Sequence, residues 1–185
     1  MKKIVLRYGL LGGLVVGLVV AVSTLLGVYT GHVEGSMIIG YASMILAFSL
    51  IFVALKNLRD KLYEGTISFG KAFKAAMLIT AVTSSIYVAV WLICYYFFIP
   101  DFMEQYKVYT LNSAKANGFS EAEISKQAAQ MQSYSDLYKN PLFVILFTYM
   151  EILPVGVIVS LVAALVIKRK VISIQPEQLY PTGTV

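Results

Sequence analysis

Polar chemistry is scarce in this chain. It has one cysteine, Cys94, one histidine, His32, and only 14% charged residues, where a soluble domain carries about 25%. A lone thiol makes no intrachain disulfide and says nothing of redox compartment; Cys94 sits inside an apolar run and reads as a small packing residue. One histidine cannot supply the roughly three or four protein ligands of a metal site, so His32 and the neighbouring Glu34 read as a solvated turn pair. No G-x-S-x-G elbow, H-E-x-x-H or C-x-x-C occurs. One near-match is rejected on chemistry. Gly65-Thr66-Ile67-Ser68-Phe69-Gly70-Lys71-Ala72 approaches the phosphate-binding G-x-x-x-x-G-K-[ST], but Ala72 stands where a hydroxyl would hold Mg²⁺. No strand pattern precedes it and a long apolar stretch follows, so no nucleotide is expected.

What the chain has instead is apolar length. It is 58% hydrophobic with mean hydropathy +0.75. The excess is gathered in four runs, Gly9–Tyr29, Met37–Leu55, Ala75–Ile99 and Leu142–Ile167, of 19 to 26 residues each. A bilayer core of about 30 Å needs roughly 20 helical residues, so each run is long enough to span. The expected fold is all-α: a polytopic membrane protein of four transmembrane helices. The residues left over leave no room for a separate soluble catalytic domain, and 1–185 reads as a single membrane domain.

The net charge of +5 does not point to nucleic acid, because of where the cations lie. Lys2, Lys3 and Arg7 precede the first run. Lys56, Arg59, Lys61, Lys71 and Lys74 lie between the second and third, and Lys168, Arg169 and Lys170 follow the fourth. In a four-span threading these 3, 5 and 3 residues make 11 of the 15 cations, all on one side. The turn Thr30–Ser36 has none. Short loops rich in Lys and Arg stay cytoplasmic. Both termini are therefore expected inside, with the 168–185 tail, and the 100–140 segment outside. The first run also opens like a secretory signal, but at 21 residues it exceeds the about 7–15 of a signal core and no A-x-A site follows; a retained first helix is expected.

Within the runs several faces stand out. Gly9, Gly13 and Gly17 recur every four residues on one side of the first helix. Small residues in that register let membrane helices approach closely, either inside the bundle or at a homo-oligomer seam. Gly65 is a helix stop and Ser68 a candidate N-cap. Lys71 and Lys74, beside Phe69 and Phe73, suit an anionic inner-leaflet headgroup layer. Trp91, Tyr95, Tyr96, Phe97 and Phe98 form an interface girdle ahead of Pro100. The 100–140 segment reads as an amphipathic helical hairpin. Phe102, Tyr106 and Tyr109 share a face of its first helix, Asn117-Gly118 marks the stop, and Ser120 with Glu123 has the spacing of a capping box. Ile124, Ala128, Met131, Ser135 and Tyr138 form one stripe of its second helix.

Glu151 is the one charged side chain in the four runs. It lies nine residues inside the fourth, about 13 Å at roughly 1.5 Å per residue. A carboxylate at mid-span costs about 2.5–3.5 kcal/mol, too much to face lipid charged and unpartnered. Pro154 removes the helix donor of the Met150 carbonyl within the same turn. Candidate donors at matched depth are Ser43, Tyr87 and Trp91, with Ser23 and Thr24 shallower. Glu151 and Pro154 thus mark either a polar tie between helices or the lining of an outward-open cavity for a proton, cation or small ligand.

The whole pattern resembles a known family. The elements are a short basic start on a Gly-rich helix, Lys56…Arg59-Asp60-Lys61 closing the second helix, and Gly65-Thr66-Ile67-Ser68-Phe69-Gly70-Lys71-Ala72-Phe73-Lys74 opening the third. Ile99-Pro100-Asp101-Phe102 follows, then Gly118-Phe119-Ser120-Glu121-Ala122-Glu123-Ile124. Nearly the full chain is similar to domain-of-unknown-function family 4199, small four-helix bacterial membrane proteins. The resemblance implies a bacterial inner membrane, four spans and no known cofactor, and carries over no catalytic residue. The expectation is a non-enzymatic structural or accessory component whose partner is the lipid bilayer. The alternative is a small oligomeric transporter or ion-coupled carrier using Glu151.

Overall fold

The computed structural model describes residues 1–30 and 37–168. His32 and Glu34, and the tail beyond Lys168, lie outside the described residues. Six α-helices are present among them: α1 Lys2–Thr30, α2 Met37–Leu62, α3 Phe69–Ile93, α4 Phe102–Ala116, α5 Glu121–Tyr138 and α6 Pro141–Ile167. A π-turn, Cys94–Phe98, prolongs α3 before Pro100 ends it. The chain is all-α, and α1, α2, α3 with its π-turn, and α6 are each long and apolar enough to cross a membrane.

Three of these helices outrun their apolar runs, α1 by beginning at Lys2. Hydropathy falls at Lys56, yet α2 continues to Leu62, because Lys, Arg and Leu propagate a helix well whatever their polarity. It stops where Glu64 and Gly65 turn left-handed, φ 50° and 86°, and the Gly65 N–H closes on the Arg59 carbonyl at 3.0 Å. The third apolar run starts at Ala75, but α3 starts at Phe69 behind Ser68, whose extended backbone fits an N-cap while its side chain makes no cap bond.

The four long helices form a ring in the order α1, α3, α6, α2. The consecutive pair α2 and α3 faces across the diagonal. Side-chain bonds give the directions. Asn57 near the end of α2 donates to Tyr8 near the start of α1, so these two are antiparallel. Thr80 of α3 meets Ser160 of α6 while Tyr87 meets Glu151, another antiparallel pair. The pair α1–α3 runs parallel: Gly9 meets Val82, Gly13 meets Ile86 and Gly17 meets Val90.

That last register explains the ring. A Cβ on Gly9 would sit 2.8 Å from Val82 Cβ, one on Gly13 2.7 Å from Ile86 Cβ, and one on Gly17 3.2 Å from Val90 Cγ2. The glycine face of α1 is a groove filled by a ridge of β-branched residues on α3, also spaced by four. A second copy could reach it only by displacing α3. Phe48, Ile51, Leu55, Ile79 and Ile152 close the core, while Leu14, Leu18, Ile45, Leu46, Ile158 and Val166 stay exposed around the outside. A bundle in lipid needs that exterior, since hydrocarbon is as apolar as leucine.

The pair α4–α5 is a helical hairpin at the end of the bundle where α3 ends and α6 begins, with Lys107 donating to Gln132 across it at 3.1 Å. Its turn is built from both expected signals. Gly118, φ 76°, lets the Phe119 N–H reach the Ala114 carbonyl and its own N–H reach Lys115, a Schellman closure of α4. The capping box at Ser120 and Glu123 is formed. Ile124, Ala128, Met131, Ser135 and Tyr138 are half-buried along one side of α5.

Candidate functional site

Several polar side chains inside the bundle tie helices together. The Thr80 hydroxyl pairs with Ser160 Oγ at 2.9 Å and donates to the Gly156 carbonyl at 3.4 Å. Thr83 donates to the Gly9 carbonyl at 3.1 Å, on the glycine face itself. Ser85 and the Tyr149 hydroxyl meet at 2.9 Å on another flank of the α3–α6 contact. These four contacts all join neutral groups, and all but the Thr80–Gly156 contact are near ordinary length; one further bond between helices involves an acidic side chain.

The acidic side chain belongs to Glu151. Its residue is exposed on the flank of α6, while its Oε2 accepts from the buried Tyr87 hydroxyl at 3.4 Å. Of the donors expected at its depth, only Tyr87 is bonded to it; Ser43 donates instead to the Gly40 carbonyl in its own helix. Two energies can be compared. A side-chain bond between membrane helices averages about 0.6 kcal/mol and reaches about 1.7. A mid-span carboxylate costs about 2.5–3.5 kcal/mol. A single bond at the long end of the range does not offset that cost.

Depth eases the cost. Directly above Glu151 lies an aromatic cluster drawn from four helices and absent as a unit from the sequence reading. Phe147, one turn before Glu151, stacks on Tyr138 at 5.8 Å, and Tyr138 meets Tyr95 edge-on at 5.8 Å. Phe102 joins Tyr95 at 6.3 Å, Trp91 at 5.2 Å and Tyr106 at 5.8 Å. Such belts mark the membrane–water interface. Side chains on a helix lean toward its N-terminus, so the Glu151 carboxylate is carried up toward Phe147 and the belt. Burial pushes the Tyr138 phenol up to about 12, and the Glu151 carboxylate adds to the effect; Tyr138 remains a neutral hydroxyl at physiological pH.

Pro154 is exposed on the same flank as Glu151. An apolar recess of about 120 Å³ lies elsewhere, between the ends of α1 and α3, lined by Thr24, Val90, Cys94, Phe98 and neighbours; Glu151 is not part of it. At the opposite end of the bundle Lys71 and Lys74 are exposed on the first turns of α3. The Lys71 ammonium sits 5.0 Å over the Tyr63 ring, and Phe69 and Phe73 stack at 5.6 Å. The segment resembling a phosphate loop runs from the turn after α2 directly into α3. Among the described residues, no three His, Cys, Asp or Glu side chains gather as a metal site.

The family model described as "Protein of unknown function (DUF4199)" matches residues 7–169. The chain belongs to this family. As a DUF4199 protein it brings a fold of four apolar, membrane-length helices and no assigned activity. No curated protein and no solved structure matches it.

Proposed function

We propose that this DUF4199 chain is a non-enzymatic structural or accessory component of a bacterial cytoplasmic membrane. Both termini face the cytoplasm and the α4–α5 hairpin faces out. The observation that carries the functional reading is the use of its intramembrane polar groups. Thr80, Thr83, Ser85, Tyr149 and Ser160 are engaged in bonds between helices, which suits a scaffold. What supports the threading is charge. The helix directions bring Lys2, Lys3, Arg7, Lys56, Arg59, Lys61, Lys71, Lys74 and Lys168 to the bundle end away from the hairpin, and such cation-rich ends stay inside. There Lys71 and Lys74 would meet anionic headgroups.

Threading is tested by single cysteines in a Cys94→Ala background, probed in intact cells with a membrane-impermeant maleimide. Asn112→Cys is labelled without lysis and Lys61→Cys only after it; the reverse pattern overturns the orientation. A carrier is the second reading, favoured by the exposed, singly bonded Glu151. Cation or proton flux into proteoliposomes that vanishes in Glu151→Gln would replace the scaffold with the carrier.

A further inference from the structure

Two under-supplied hydrogen-bond acceptors lie in one turn of α6, the Glu151 carboxyl and the Met150 carbonyl. Glu151 accepts one 3.4 Å bond, and among the described residues no lysine or arginine pairs with it. The Pro154 nitrogen carries no hydrogen, so the Met150 carbonyl, in the same turn, has lost the N–H that a continuing helix would supply. Met150 and Glu151 are both exposed. From Leu142 to Ile167 there is no cationic side chain to serve either. The spot is therefore rich in acceptors and poor in donors, and it opens sideways from the bundle.

The rings above it have a complementary property. Phe147 lies one turn up on the same side of α6, with Tyr138 stacked on it at 5.8 Å. Aromatic faces attract cations, more so when water is excluded. Side chains on a helix lean toward its N-terminus, so the Glu151 carboxyl points up toward Phe147.

We propose that Glu151, the Met150 carbonyl and the Phe147–Tyr138 rings form a binding site for an ammonium group that carries N–H donors. Its source is the headgroup of an amine phospholipid such as phosphatidylethanolamine, or a small free primary amine. An –NH₃⁺ group brings three donors and a positive charge, one donor for the carboxylate, one for the carbonyl and one for water or a phenol oxygen. A trimethylammonium group has the charge but no N–H, so it satisfies neither acceptor. The site does not depend on which side of the membrane the aromatic end faces, and so stands apart from the threading proposed above.

The test uses the purified full-length protein, delipidated in neutral detergent, with bound lipid read by native mass spectrometry. Wild type should retain phosphatidylethanolamine over phosphatidylcholine by about tenfold, the equivalent of one charge-assisted bond. Glu151→Gln should bring the two lipids to parity. Pro154→Ala, which restores the helix donor to Met150 and favours folding, should cut the preference roughly threefold. Displacement of the bound lipid by propylammonium supports the site with a free amine as occupant; retention of the ethanolamine lipid against it supports the site with the lipid as occupant. Equal retention of both lipids by wild type overturns the proposal. So does an unchanged preference in Pro154→Ala, which decides the matter where Glu151→Gln fails to fold. A membrane protein that co-purifies with wild type and is lost in Glu151→Gln, with lipid preference unchanged, also overturns it and gives the carboxylate to a basic partner helix.

Discussion

The Tyr87 hydroxyl reaches Glu151 Oε2 at 3.4 Å across the contact of α3 and α6, joining a buried ring to a residue on the exposed flank of α6. The length matters. Bonds from a hydroxyl to an ionised oxygen are about 2.5–2.7 Å when strong, so this one orients the carboxylate more than it holds the bundle. Tyr87→Phe is expected to cost under about 1 kcal/mol of stability, read as a small fall in Tm in detergent. A loss above about 2 kcal/mol would make the pair a principal tie between the helices.

The glycine face predicts a sharper effect. A side chain on Gly13 would overlap Ile86 and force α1 away from α3. Gly13→Leu should destabilise the folded chain by about 3 kcal/mol or more, at the upper end of overpacking. Gly40, with open space where its Cβ would go, is the control: Gly40→Ala should be neutral or stabilise by about 0.4–1 kcal/mol. Thermal unfolding and particle mass separate the outcomes. A variant that keeps its Tm but loses oligomer mass would assign the face to a seam between copies.

The buried Thr80–Ser160 pair should be coupled. Thr80→Val keeps the shape but leaves Ser160 Oγ without its 2.9 Å partner, at a cost of about 1–2 kcal/mol. Adding Ser160→Ala removes the orphan as well, so the double variant should be less destabilised than the sum of the singles. Additivity in that cycle would show that the two hydroxyls do not interact.

Acid should loosen the hairpin at the start of α5. The Ser120 hydroxyl and backbone N–H hold the Glu123 carboxyl below the usual glutamate range. A carboxylate with a depressed folded value lends stability above its unfolded value and loses it as pH falls through the folded one. Amide exchange at the first turn of α5 should therefore quicken below the ordinary glutamate range, with α6 unaffected. Ser120→Ala should quicken it at neutral pH too, consistent with about 1 kcal/mol for an N-cap.

Much of this was legible in the residues. The helix stops at Gly65 and Gly118 and the Ser120–Glu123 cap rest on contacts within a few residues, so local spacing suffices to read them. The glycine face was legible as a face, but its occupant was not. Val82, Ile86 and Val90 repeat the four-residue spacing on α3, and matching two such registers was the available signal. The aromatic cluster was half legible. The girdle of α3 was plain, whereas Tyr138 and Phe147 meet it only because α5 folds back beside α6. Nothing local foretold that Tyr87, among the five donors at or near its depth, would be the one bonded to Glu151.

Hydrophobic length and charge placement are properties of the chain taken one segment at a time, so the sequence alone determined four apolar helices of spanning length and the two helices between them. Helix adjacency is a different kind of fact. It depends on which surfaces fit, and only the tertiary structure decided that α3 sits beside α1, since β-branched residues fill a groove that lacks Cβ atoms. The same holds for Glu151. Its presence in a span was evident from the sequence, but its exposure on the flank of α6 follows from the packing of three neighbours, because burial is decided by what stands opposite a residue.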